Sequence, residues 1–306
     1  MYKIIQRRKV WYVISTILII PGLISLFVWG LRVGIDFAGG SLVEIKVASS
    51  KKQIGTDEIR NIVSKVEVEN LAVQSSGKNQ FMLRYKKPNS AKIKDNELAD
   101  EIVKTVQAKV GETTKVRFEN VGPTVSQELT KKAIIAVVIA SLLLIFYIAW
   151  AFRGVTNSQA SSWKMGTFAI IALIHDLLFV IGAFSILGHF FPIFEVDALF
   201  ITALLTILGY SVNDTIVVFD RIRENIRRMP GKPLEEITNA AINQTLARSL
   251  NTSVTLFFVL LALFLLGGQS INSFIIALLI GTVTGTYSSI FVASPLLVTF
   301  QPRKVR

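Results

Sequence analysis

The sequence predicts a polytopic α-helical membrane protein with six transmembrane helices and one extracytoplasmic α+β domain between helices one and two. Three observations carry that prediction. The 306-residue chain is 51% hydrophobic, with a mean hydropathy of +0.53. Six apolar runs approach or exceed the roughly 20 residues a helix needs to cross a bilayer, at about 10–30, 131–152, 165–187, 197–219, 246–266 and 271–300. One polar segment of domain size, 31–130, interrupts them. The chain therefore divides into 1–30 (a cytoplasmic N-terminus and helix one), 31–130 (the outer domain) and 131–306 (helices two to six and a cytoplasmic C-terminus).

The first run holds Pro21-Gly22 and no clear small-residue cleavage site, so it reads as an uncleaved span rather than a signal peptide. The sequence has no cysteine. That excludes disulfides, thiolate metal sites and a cysteine nucleophile.

A net charge of +12 could indicate a nucleic-acid partner, but its distribution points to membrane topology. With the N-terminus inside, the inner segments carry Lys3, Arg7, Arg8 and Lys9, then Arg153 and Lys164. Arg221, Arg223, Arg227, Arg228, Lys232 and Arg248 follow, and then Arg303, Lys304 and Arg306. The short outer loops "GHFFPIFEVD" and "GGQSIN" have neither Lys nor Arg. Basic residues hold loops on the cytoplasmic side, so all six spans agree on termini inside.

Within 31–130 the pattern reads strand, helix, strand, strand, helix, strand. "GSLVEIKVA" alternates as a strand does. "TDEIRNIVSKV" reads as a helix capped by Thr56 or Asp57, with Ile59, Ile62, Val63 and Val66 on its apolar side. "LAVQSS" and "QFMLRYKK" read as strands joined by a turn containing Gly77. A helix within "SAKIKDNELADEIVKTVQAKVG" stops at Gly111, and "TKVRFENVG" is the last strand. The βαββαβ order predicts a ferredoxin-like domain. Between spans four and five, "PGKPLEEITNAAINQTLA" reads as a separate amphipathic helix on the inner membrane face, serving as a connecting elbow. Pro233 lies near its start, and Glu235 and Glu236 suit its first turn.

Few ionisable groups fall inside the spans: His175, Asp176, Asp214 and Arg248. Each costs about 2.5–3.5 kcal/mol at a helix centre on insertion scales, so each needs a partner or a water-filled cavity. Asp214 lies about 9 Å and Arg248 about 6 Å from the inner surface at 1.5 Å rise per residue. Similar depth predicts that they pair, and protonation of Asp214 would break the pair and move helices. Asp176 lies near the midplane, placed to hand on protons or organise water. His175 is its neighbour in sequence, so it points elsewhere on the helix and reads as structural. Ser211, Asn213, Thr215, Asn251 and Thr252 neighbour the charged positions in sequence. Gly281, Gly285 and the hydroxyls of "GTVTGTYSS" predict close helix packing in span six.

Enzyme signatures do not appear. There is no GxxxxGK[ST] loop, and "GIDFAGG" follows a span rather than a strand entering a helix. The unequal depths of Asp176 and Asp214 argue against an aspartyl protease. No His/Asp/Glu spacing suits a metal, and no cofactor is expected.

The motifs resemble the SecD/SecF family of the resistance-nodulation-division superfamily over nearly the whole chain. The resemblance rests on "GIDFAGG" at 34–40, "VGPTVSQEL" at 121–129, "ALIHD" at 172–176, "LTILGYSVNDTIVVFDRIREN" at 205–225 and "ARSLNTSVT" at 247–255. In "VGPTVSQEL" the family pattern carries glycine where this chain has Ser126. The resemblance implies a SecD partner, the SecYEG channel with its motor SecA, a translocating preprotein, and use of the proton motive force in a bacterial cytoplasmic membrane. It implies no enzymatic activity, and lipids are the surrounding solvent. It places Asp214 on the family's proton-pathway aspartate and Arg248 on the arginine implicated with it, with Asp176 at the span-three position. Gly34, Asp36, Gly39 and Gly40 fall on a hinge motif after span one. A half-unit exporter of small molecules or lipids from the same superfamily is the alternative.

Overall fold

The computed structural model describes residues 2–48, 54–77, 79–88, 93–151, 156–157, 160–191, 193–268 and 271–301. The inner-loop Arg153 and the terminal Arg303, Lys304 and Arg306 lie outside the described residues. The chain forms two compact units. One comprises Met1–Arg32, Ile135–Phe194 and Leu199–Arg306, and the other Val33–Ile134 with Glu195–Ala198.

The first unit is helical. Among the described residues, six helices are long and apolar enough to cross a membrane: Ile5–Val28, Pro123–Ala151, Trp163–Phe190, Ala198–Arg228, Leu234–Leu266 and Asn272–Thr299. The first is a 3-10 turn at Ile5–Arg7 leading into α1, Arg8–Val28. Pro123–Ala151, Ser162–Phe190, Ala198–Arg228 and Leu234–Leu266 are α5, α6, α7 and α8. α5 opens on Pro123, a position where the missing N–H costs nothing.

The predicted amphipathic helix and span five prove to be one helix, α8. Nothing between Leu234 and Leu266 is Gly or Pro, so the fall in apolarity near Asn243 does not end the helix. Leu234, Ile237, Ala241 and Ile242 are buried in the unit's core, where they pack with Ile5, Phe219 and Ile222. Asn239 ties the N-terminus to this stretch. Its Oδ1 accepts from the backbone N–H of Ile4 at 2.9 Å, and its Nδ2 donates to Tyr2 O at 2.9 Å.

The sixth span is α9, Asn272–Ser288, then a π turn at Ser289–Ala293, then α10, Ser294–Thr299. Pro295 lacks the N–H an α-helix would require, and a wider turn absorbs that defect. The hydroxyl of Ser294 donates to Ser289 O across the π turn at 2.8 Å.

The second unit contains a short helix α2, Ile35–Ala38, then β1 (Gly40–Val47), α3 (Thr56–Val63), β2 (Glu69–Gly77), β3 (Gln80–Lys86), α4 (Asp95–Val110) and β4 (Thr113–Val121). The four strands form a sheet in the order β2-β3-β1-β4, and every neighbouring pair is antiparallel. Val43, Ile45, Leu83, Ile59, Val63, Leu98, Ile102 and Val106 build the core between sheet and helices. On β1 the alternate residue Glu44 is also buried, and it accepts from Ser76 Oγ at 2.6 Å and Gln80 Nε2 at 3.0 Å. The cap of α3 is Gly55, not Thr56 or Asp57. The helix starts at Thr56 itself, which leaves Asp57 and Glu58 in the first turn where the helix dipole favours them.

Candidate functional site

The inward face of α7 repeats at helical spacing: Leu204, Ile207, Leu208, Ser211, Asp214, Thr215, Val218, Ile222. Asp214 continues this face and is only 3% exposed. Its Oδ2 accepts a hydrogen bond from Thr286 Oγ1 on α9 at 3.2 Å. Thr286 also meets the hydroxyl of Ser253 on α8. Tyr210 OH donates to that same Ser253 Oγ at 2.9 Å. A polar chain thus runs from α7 through α9 to α8 and back to α7.

Asp176 on α6 is completely buried and hydrogen-bonded by three side chains. Ser211 Oγ on α7 and Ser288 Oγ on α9 donate to its Oδ2 at 2.5 and 2.7 Å. His175 Nδ1 lies 3.0 Å from its Oδ1. Sequence reasoning sent His175 to another part of the helix. Adjacent residues are about 100° apart around the axis, yet both side chains here turn into the same broad buried face of α6. One residue past Asp214, Thr215 Oγ1 and Ser289 Oγ are hydrogen-bonded at 2.8 Å, which joins α7 to the π turn.

The structure does not bring Arg248 to Asp214. Arg248 is exposed, and no ion pair between the two forms among the described residues. On α8 it is Ser249 and Ser253 that face inward, which turns Arg248 outward. Depth along the axis was estimated from sequence, but rotation about it was not. Asn213, Asn251 and Thr252 are likewise exposed. Of the residues neighbouring the charged positions in sequence, Ser211 does reach a carboxylate; the other hydroxyls on the carboxylates are Thr286 and Ser288, with Ser253 one hydrogen bond further, at Thr286. All four lie in motifs that the sequence singles out.

The predicted packing glycines do meet α7. A Cβ added at Gly281 would lie 2.3 Å from Ile207 Cγ1, and one at Gly285 would lie 3.1 Å from Ser211 Cβ. A second close crossing, missed from sequence, joins α1 and α6: a Cβ at Gly22 would lie 2.9 Å from Gly182 Cα. The hydroxyls of Ser25 and Ser185 bond beside it at 2.7 Å.

The motif after span one lies in the second unit. Gly34 N–H donates to Val196 O at 2.9 Å, and Asp36 Oδ2 accepts from the N–H of Ala198 at 2.9 Å. Gly39 and Gly40 have φ of +68° and +125°. A Cβ on Gly40 would come within 2.9 Å of Tyr85 O. Ser126 is buried near Gly39 and donates to Pro123 O at 3.0 Å. The segment Glu195–Ala198 is held further by an ion pair between Glu195 and Arg84 of β3, another contact that no motif announced.

Two family models match this chain. The model for the protein export membrane protein SecD/SecF C-terminal region covers residues 101–303, and that for the SecD/SecF GG motif covers 24–51. The chain belongs to the SecD/SecF family. Relatives in this family include protein translocase subunit SecF of Thermobaculum terrenum, 43% identical over 98% of this chain and 94% of the relative. SecF of Anaerolinea thermophila is 42% identical with the same coverage. A crystal structure of SecDF, a translocon-associated membrane protein from Thermus thermophilus, matches with a TM-score of 0.84 and 30% identity. That match covers 99% of this chain and 39% of the longer SecDF chain. SecDF in a super-membrane-facing form matches with a TM-score of 0.69.

Proposed function

We propose that this chain is the SecF-type half of a SecDF complex that uses the proton motive force to assist SecA/SecYEG-dependent protein translocation. Asp214 takes up and releases the proton. Arg248 supplies positive charge to it in an alternative arrangement of α7 and α8, and Asp176 extends the path on the α6 side. The observation that carries this reading is Asp214 itself, 3% exposed in a membrane-length helix and met by a hydroxyl of α9. An ionisable group in such a place is costly unless it works. The energy is adequate, since one charge moving through 100 mV gains about 2.3 kcal/mol.

In this reading the second unit is an extracytoplasmic ferredoxin-like domain. Its strand order β2-β3-β1-β4 supports that topology. The motif Gly34, Asp36, Gly39 and Gly40 acts as the hinge that follows span one. Both termini are cytoplasmic, as the distribution of basic residues favours, and the membrane is the cytoplasmic membrane of a bacterium. The preprotein is drawn out at the outer face. The partner is a second six-span protein of the same family, consistent with a chain that matches 39% of a SecDF chain.

The reading is tested by purifying the tagged chain with its membrane neighbours. A SecD-type protein is expected to co-purify in stoichiometric amount, and proton uptake by vesicles holding both proteins is expected to exceed that of either alone. Recovery of the chain without such a partner, or equal proton uptake by empty vesicles, contradicts it.

A further inference from the structure

We infer that His175 and Asp176 act as one proton-carrying unit, with His175 Nε2 as the atom at which the proton arrives and leaves. The inference deepens the proposed function and rests on that reading for its link to transport. The pair itself rests on geometry alone. His175 Nδ1 is 3.0 Å from Asp176 Oδ1. The opposite ring nitrogen, Nε2, is buried and has no hydrogen-bond partner among the described residues. A buried polar atom of this kind calls for a function or a bound water, because leaving it unsatisfied is costly.

The surroundings specify what the pair can do. Three side chains converge on Asp176: the hydroxyls of Ser211 and Ser288 donate to its Oδ2, and His175 Nδ1 shares a hydrogen bond with its Oδ1. Among the described residues, the titratable group other than Asp176 in contact with the imidazole is Tyr287 of α9, whose ring stacks on it at a centroid distance of 6.2 Å. The Tyr287 hydroxyl is engaged with α1, donating to Trp11 O at 3.1 Å and lying 3.0 Å from Ser15 Oγ. From α7, Ser211 Oγ donates to Asp176 Oδ2 at 2.5 Å. Among the described residues, no lysine or arginine forms an ion pair with Asp176. Histidine is therefore the basic group available to it, and histidine is the side chain that changes charge near neutral pH.

The step balances without any further reagent. A proton from water binds Nε2, and the Nδ1 proton passes to Asp176 Oδ1. The pair then holds a neutral imidazole protonated at Nε2 and a neutral carboxylic acid, having gained one proton and lost its buried negative charge. Ser288 already has a second acceptor in Gly285 O at 3.2 Å. Its hydroxyl can turn there once the carboxylate is neutral, which loosens α9 from α6 immediately before the π turn.

The test uses the full chain in bilayers with ¹⁵N-labelled histidine. The sequence contains two histidines, so the magnetic resonance spectrum holds two rings, and His189→Gln assigns them. His189 is exposed and serves as the reference. We expect the His175 signal to pass from the Nδ1–H to the Nε2–H tautomer as the bilayer sample is acidified, and Asp176→Asn to abolish that change while leaving the His189 signal as it is in the wild type. A His175 ring that keeps one tautomer throughout, or one whose titration is untouched by Asp176→Asn, overturns the inference. Asp214→Asn separates the two claims. Loss of gradient-driven export with the His175 titration intact supports both, whereas export that survives Asp214→Asn refutes the proposed function and leaves the pair standing. Because the decisive spectrum is that of the wild type, a His175→Gln variant that fails to fold does not blunt the test.

Discussion

Thr286 of α9 donates its hydroxyl to Asp214 of α7 across 3.2 Å. Two residues further along α9, Ser288 donates to Asp176 of α6 at 2.7 Å. One helix therefore touches both buried carboxyl groups, and a change of charge on either alters what holds α9 in place. Thr286→Val keeps the shape and removes the donor. We expect it to cost about 1–3 kcal/mol, the usual penalty for stranding a buried polar partner, and Thr286→Ser to recover most of it. Thermal unfolding in detergent measures the difference.

Gly281 sits where α9 crosses α7 with no space for a side chain, since its Cβ would fall 2.3 Å from Ile207. Gly281→Leu is expected to destabilise by about 1–3 kcal/mol, the range for overpacking. Gly209→Ala on α7 provides the control. A Cβ there meets nothing within 4 Å, so the gain in helix propensity is expected to leave stability equal or higher by up to about 1 kcal/mol. Ile207→Ala combined with Gly281→Leu should recover part of the loss, which a double-mutant cycle reads.

Arg84 and Glu195 form a largely buried ion pair, with the glutamate side chain 5% exposed. Removing either partner strands the other charge, so Arg84→Ala or Glu195→Ala is expected to cost about 3–5 kcal/mol. Replacing both by apolar residues of similar size, Arg84→Met with Glu195→Leu, is expected to cost less than either single change. Hydrogen exchange of β3 amides reports the ranking.

Tyr85 on β3 gives the second unit an alkaline pH dependence. Burial, which is the main cause, raises its hydroxyl above the ordinary tyrosine value of 10, and the nearby Asp95 and Asp100 push the same way. Below pH 10 the ring is neutral whether folded or unfolded, and its contribution is complete. Above that value the unfolded chain ionises first, so stability falls as pH rises toward the folded value. Tyr85→Phe is expected to flatten this alkaline loss, measured as the slope of β3 hydrogen-exchange protection above pH 10.

The spans were legible because a bilayer imposes length and apolarity on each one, and hydropathy reads both directly. The strand and helix order of 31–130 was legible from alternation in "GSLVEIKVA" and from helical spacing in "TDEIRNIVSKV". The unity of α8 was not, because a polar stretch looks like a boundary when hydropathy is the guide, whereas only Gly or Pro would have broken the helix. The carboxylates stood out because an acid in an apolar run is rare. Their partners did not: serine and threonine fill membrane helices for packing alone, and Ser253 or Thr286 differs from Thr252 only in its rotation about the axis. The same missing coordinate produced the expected pair of Asp214 with Arg248. Glu195 and Arg84 lie far apart in sequence, and no pattern links them before the chain folds.

The coupling of proton flow to export proposed for Asp214 is open to a decisive test by one substitution. Inverted membrane vesicles carrying the complex are loaded with a preprotein arrested part-way, and a proton gradient is then imposed. With Asp214→Asn present in normal amount beside its partner, translocation is expected to stop responding to the gradient while its ATP-driven part persists. Gradient-driven translocation at the wild-type rate in that variant would contradict the coupling.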